Sequence, residues 1–158
     1  MAIGHWLLKS EPDVFSIEDL QQSERRTTDW GGVRNYQARN FIRDQMRPGD
    51  KVLFYHSNAK PSGVAGLAEI TSAAYPDATA FDPQSPYHDP DDNPAEPTWY
   101  AIDVTWVRTF AKLLPLEELK CDPKLEGLEL LRRGSRLSVQ PVSKAHYERI
   151  VKLAAKRD

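Results

Sequence analysis

Between Pro76 and Pro97 lie six of the chain's twelve prolines, set among many aspartates. Proline offers no ladder hydrogen bond and locks its own backbone, so this stretch can neither pair as a central strand nor build a core. It reads as a long, ordered surface loop. The 158-residue chain is otherwise of a size that buries a core unaided, and one domain over residues 1–158 is expected.

The clearest strand pattern follows that loop, over residues 99–110, where Tyr100, Ile102, Val104, Trp106 and Phe110 share one face, interrupted only by Arg108. Lys51 to His56 is rich in strand formers, and Gly63 to Ile70 reads as its partner. The short apolar run ending at Lys9 predicts a first buried strand. Ser16 opens a brief helix through Leu20, and residues 29–32 read as a loop because of Gly31-Gly32. Asn35 caps a helix over residues 36–46, with Ala38, Phe41, Ile42 and Gln45 on one face and Arg39, Arg43 and Arg47 on another. Helical pieces near 116–119 and 128–131, a strand at 137–139 and a helix capped by Ser143, with His146, Ile150 and Leu153 inward, complete the chain. The pattern predicts a mixed α/β domain with a strongly curved antiparallel sheet or small barrel, without internal repeats.

Several function classes lose support at once. No apolar run approaches the roughly 20 residues of a membrane helix, and the N-terminal residues lack a secretory pattern, so a cytoplasmic protein is expected. The lone Cys121 excludes an internal disulfide and a cysteine zinc cage. His5, His56, His88 and His146 form no ligand pair, so no metal and no cofactor are expected. Ser57 or Ser10 with His56 and Asp29 or Asp103 can be assembled into a triad, but no nucleophile-elbow motif surrounds either serine. Gly63 and Gly66 are better read as sheet sterics than as a phosphate loop. Net charge is −2, yet no Lys or Arg occurs between Pro61 and Val107, so the remainder is net basic. That permits one face suited to phosphates, or simply an acidic solvated loop.

Binding signals are stronger than catalytic ones. Trp30 precedes a glycine pair and a helix start flanked by Arg34 and Asn35, so its ring either closes a loop in the core or stacks on a base beside groups that favour an anion. Tyr36 has the same two readings. Tyr55, His56, Ser57 and Asn58 end a buried strand, which either opens into a polar pocket or runs out into water. Arg132, Arg133 and Arg136 either face solvent or extend a phosphate track begun by Arg39, Arg43 and Arg47.

Five blocks together resemble the EVE-domain family: residues 6–12 (WLLKSEP), 30–41 (WGGVRNYQARNF), Gly49-Asp50 with Phe54-Tyr55-His56-Ser57, residues 63–66 (GVAG) and 136–142 (RLSVQPV). The resemblance implies a PUA-like α/β (α+β) fold, a curved antiparallel sheet or pseudo-barrel surrounded by helices, akin to YTH and ASCH domains. It also implies a non-catalytic module that holds one modified nucleobase of DNA or RNA, such as methylated or hydroxymethylated cytosine or methyladenine. On that basis Trp30 becomes a stacking wall and Tyr55, His56 and Ser57 line the pocket, with Lys9, Ser10, Asn35 and Ser138 near it. Tyr36 joins the candidate ligand residues, and Arg34, Arg39, Arg43 and Arg136 the candidate phosphate contacts. The expected partner is nucleic acid or a nucleotide, bound by a monomer. The competing readings are an enzyme on RNA or a nucleotide with His56 as acid or base and Lys9 polarising a phosphate or carbonyl, and a protein-interaction module.

Overall fold

The computed structural model describes residues 3–157. Seven strands, β1 (His5–Ser10), β2 (Thr27–Trp30), β3 (Lys51–His56), β4 (Gly63–Ile70), β5 (Tyr75–Pro76), β6 (Tyr100–Pro115) and β7 (Val139–Pro141), make one strongly curled half-barrel. Their order is β2-β6-β4-β3-β1-β7, with β5 also on β6. Among the described residues four α-helices decorate it, α1 (Ile17–Gln22), α2 (Tyr36–Asn40), α3 (Leu116–Lys120) and α4 (Lys144–Ala155), with short helical turns between. No helix among the described residues is long and apolar enough to cross a membrane.

The sequence predicts an antiparallel sheet, but the sheet is not wholly antiparallel. β1 pairs β3 in parallel, Trp6 opposite Val52 and Ser10 opposite His56. The chain between them climbs back through α1, β2 and α2, the crossover that parallel neighbours require. Residues 29–32 are likewise not all loop: Asp29 and Trp30 pair with Asp103 and Ile102.

β6 supplies the curl. Its register against β4 breaks twice, near Leu67/Ala68 and near Val64/Gly66. The shift near Leu67/Ala68 leaves one extra residue in β6, which bends the strand and exchanges its faces beyond that point. Thus Ile102 and Val104 enter the core with Leu8, Ile42 and Phe54, whereas Phe110 and Leu114 enter a second core with Leu7, Leu53 and Ile150. The single apolar face expected over residues 99–110 is therefore shared between two sides of the sheet. Gly66 permits the tight approach: a Cβ there would lie 2.2 Å from the Arg108 carbonyl oxygen.

The local signals explain where helices begin. Ser16 and Asp19 form a reciprocal capping box at α1, and Asn35 Oδ1 accepts from the Ala38 amide at 2.9 Å. α2 is shorter than the expected helix, because its continuation widens so that Met46 N–H reaches the Phe41 carbonyl. In α4 Tyr147, Ile150 and Ala154 are buried; Ile150 and the partly buried Leu153 face the core as expected, and Tyr147 takes the inward place expected of His146. The strand expected at 137–139 begins at Val139 instead. The proline-rich stretch is largely irregular surface, but Asp77 and Ala80 within it are buried.

Candidate functional site

The end of β2 is built around contacts with segments distant in sequence. Trp30 sets its ring edge-on against Phe54, with centroids 5.6 Å apart and planes at 89°. It is only partly buried, so the core holds one side of the indole and leaves part of it open. At Gly31 a Cβ would meet the Asp77 carboxylate at 2.9 Å. Gly32 takes a φ of +78, and the face of the Tyr87 ring lies over it.

Asp77 is the hub of this corner. Its carboxylate accepts from the Gly32 amide at 2.7 Å, from Arg34 at 3.0 Å, and from the Thr79 amide and hydroxyl at 3.0 and 2.6 Å. Burial opposes the charge, but the donors from Thr79, Gly32 and Arg34 outweigh it and hold the carboxyl below its ordinary pKa. Arg34 in turn donates to Asp77, the Thr79 hydroxyl, the Val33 carbonyl and, from Nε and Nη2, the Tyr87 carbonyl. Its guanidinium fork is thereby committed within the protein.

These elements enclose a cleft of about 510 Å³. Trp30 and Tyr87 supply aromatic surface, Lys9, Ser10 and Ser138 polar groups from the β1 side, and Asp29 and Glu11 carboxylates. Half-burial lowers the Lys9 ammonium pKa, with Glu129 opposing. The Lys9 amide bonds the Ser138 carbonyl at 2.9 Å, and the Ser10 hydroxyl donates to the Phe15 carbonyl at 2.5 Å. A flat ring entering here meets stacking surface, a cationic donor and anionic acceptors. Among the described residues no group of His, Cys, Asp and Glu is arranged to hold a metal ion.

Of the residues expected at the site, Lys9, Ser10, Trp30, Arg34 and Ser138 come together in the cleft. Tyr55 and His56 do not reach it. Tyr55 is buried in the second core. His56 is buried, and its Nε2 accepts the Ile17 amide at 3.1 Å, so it completes the start of α1. Desolvation lowers its pKa despite Glu18 and Asp19 nearby. Ser57 pairs by its backbone with Ser10 at 2.9 Å but does not line the cleft. Asn35 is an exposed cap, and Tyr36 stacks on Trp99 with ring centroids 5.0 Å apart. Arg39 lies over the Tyr36 ring and donates to the Thr98 carbonyl at 2.8 Å, while Arg43 pairs with its neighbour Asp44 at 2.7 Å. Arg136 is exposed, two residues before Ser138. Sequence reasoning missed Asp77, Thr79 and Tyr87, all in the proline-rich stretch. The one available signal was the presence of aromatic residues, Phe81 and Tyr87, in a segment rich in proline and aspartate.

Comparison with known proteins gives this geometry its context. The model of the EVE domain matches residues 4–153. Human thymocyte nuclear protein 1 is 41% identical over 170 residues, which cover 97% of this chain and 75% of that protein. A solved hypothetical protein from Leishmania major superposes with a TM-score of 0.93 at 47% identity, over 99% of this chain and 97% of that one. The crystal structure of human THYN1 protein in complex with 5-methylcytosine-containing DNA has a TM-score of 0.89 at 42% identity, over 96% and 97% of the two chains. A YTH domain from Zygosaccharomyces rouxii, TM-score 0.52 at 16% identity, shares the fold alone. With the curled sheet, the Trp30–Phe41 block in place and a family match over nearly its whole length, this chain belongs to the EVE-domain family, on a PUA-like fold.

Proposed function

We propose that the cleft beside Trp30 receives a single modified base of a nucleic acid, 5-methylcytosine being the first candidate, and that the protein reads this base without transforming it. The observation that carries the reading is the half-open Trp30 indole, braced by Phe54, in a cleft with Lys9, Ser10 and Ser138. The complex of the 42%-identical human THYN1 protein with 5-methylcytosine-containing DNA supports the choice of ligand. A base extruded from its stack would lie against Trp30, its acceptor edge toward Lys9 and its amino edge toward Asp29 or Glu11. The extra methyl adds a small apolar area, worth about 1 kcal/mol in a close contact.

The basic residues divide by role. Arg34 organises the cleft wall through Asp77 and Tyr87, and Arg39 secures the Tyr36–Trp99 stack. Arg136, exposed near Ser138, is the better-placed phosphate contact. The alternative of an enzyme using His56 draws no support from the geometry, since the Ile17 amide occupies its Nε2.

The test is a titration of tryptophan fluorescence with oligonucleotides differing only in cytosine, 5-methylcytosine or 5-hydroxymethylcytosine, each as DNA and as RNA. Saturable quenching selective for one modified base, and absent from Trp30→Ala, is expected. Equal affinity for every oligonucleotide would refute the base-reading role.

A further inference from the structure

Val14 is 69% exposed, an apolar side chain at the mouth of the cleft with no core to serve. Its backbone is nevertheless held firmly. The Val14 and Phe15 amides both donate to the Glu11 carbonyl, at 2.9 and 2.8 Å. The Ser10 hydroxyl ties the Phe15 carbonyl, and the Asn58 side-chain amide holds the Glu11 carboxylate at 2.7 Å. Phe15 packs against the core on the inner side. The result is a braced knuckle with an aliphatic tip, flanked by the exposed acids Glu11 and Asp13.

A base inside a paired helix reaches the cleft only by leaving its stack, which opens a gap beside its former partner. Proteins that distort duplexes insert apolar side chains between bases as wedges, and a gap in the stack is where such a wedge fits. Two apolar or aromatic side chains at this cleft are exposed, Val14 and Tyr87. The Tyr87 ring is laid against Gly32 and forms wall, whereas Val14 projects freely. The acids beside Val14 repel phosphate oxygens and suit the amino edges of bases, so the knuckle is fitted to the base stack and not to the backbone.

We propose that Val14 is the wedge that enters a paired duplex and occupies the space vacated by the extruded base. The proposal rests on the base-reading role of the cleft. It makes Val14 count for paired substrates far more than for unpaired ones, because only a paired base has to be extruded.

The experiment compares wild type, Val14→Ala and Val14→Leu on three probes: a DNA duplex with one 5-methylcytosine opposite guanine, the same duplex with 5-methylcytosine opposite an abasic site, and the single strand. Affinity is read by fluorescence anisotropy. A 2-aminopurine beside the methylcytosine reports unstacking. Val14→Ala is expected to lower the ratio of matched-duplex to single-strand affinity about tenfold and to lose the 2-aminopurine rise. Val14→Leu should keep both, and the abasic duplex should behave as the single strand does. Equal losses on all three probes, or no loss on any, would overturn the wedge. Failure of the base-reading role itself shows separately, as a wild-type protein that does not distinguish 5-methylcytosine from cytosine on any probe, and that result removes both readings.

Discussion

The guanidinium of Arg34 meets the carboxylate of Asp77 at 3.0 Å, joining the turn after β2 to a segment 43 positions further along the chain. Through it the cleft gains a wall from a stretch that has little regular structure of its own. Asp77→Ala should cost about 2–4 kcal/mol, because Gly32, Thr79 and Arg34 all lose their acceptor in a buried corner. It should also weaken base binding about tenfold as Tyr87 comes loose. Urea unfolding and oligonucleotide titration on the same variant check both, and unchanged stability would show that Asp77 is not the hub. Since its pKa is held below the ordinary 3.8, this contribution is complete above that pH and is lost as pH falls through the folded-state value.

Trp30→Ala should reduce affinity for the favoured oligonucleotide by roughly 10–100-fold, the range expected for one lost base–aromatic stack. Trp30→Phe should recover part of it, since a smaller ring still offers a face. Retained selectivity in Trp30→Ala would move the base to another part of the cleft.

His56→Gln should leave base selectivity intact, because His56 does not line the cleft. Its signature is in stability. Burial holds the folded imidazole below its ordinary value of 6.5, so the unfolded chain takes up a proton first and the wild type loses stability as pH falls below about 6.5. His5, also lowered by burial and by Lys51, acts in the same direction. Thermal melts from pH 7.5 to 5 should therefore show a smaller, but not absent, decline in His56→Gln. Identical slopes would contradict the assignment.

Gly66→Ala should cost about 3 kcal/mol or more, since the new methyl would sit 2.2 Å from the Arg108 carbonyl oxygen and force the β4–β6 pair apart. A melting temperature within a degree or two of wild type would mean that the pair opens freely at that point.

Tyr36→Ala should lower stability by about 0.5–1.5 kcal/mol through loss of its stack on Trp99. The same variant should bind the modified base with unaltered selectivity. A loss of selectivity would bring Tyr36 back into the site, as the residue pattern first allowed.

What could be read along the chain was whatever depends on near neighbours. The strand formers in residues 51–56 and their partner at 63–70, the caps at Ser16, Asn35 and Ser143, and the motif blocks around Trp30 identified the strands, the helix starts and the family, because each signal is local to a few residues. Trp30 and Arg34 were legible as site candidates from their own segment, whereas Lys9, Ser10 and Ser138 entered through the family resemblance. What only the tertiary structure decided was how distant segments meet. The register break near Leu67/Ala68 sent Phe110 to the opposite face from Ile102, and no periodicity within β6 alone records a break that its partner imposes. The start of α1 claimed His56 through the Ile17 amide, turning a candidate acid–base group into an internal acceptor. Tyr87 became part of the cleft, and Asp77 the brace behind its wall, because Gly31 and Gly32 leave room for a carboxylate and a ring from far along the chain. Local preference acts over a few bonds, whereas the burial of a charge or a ring depends on what folds over it.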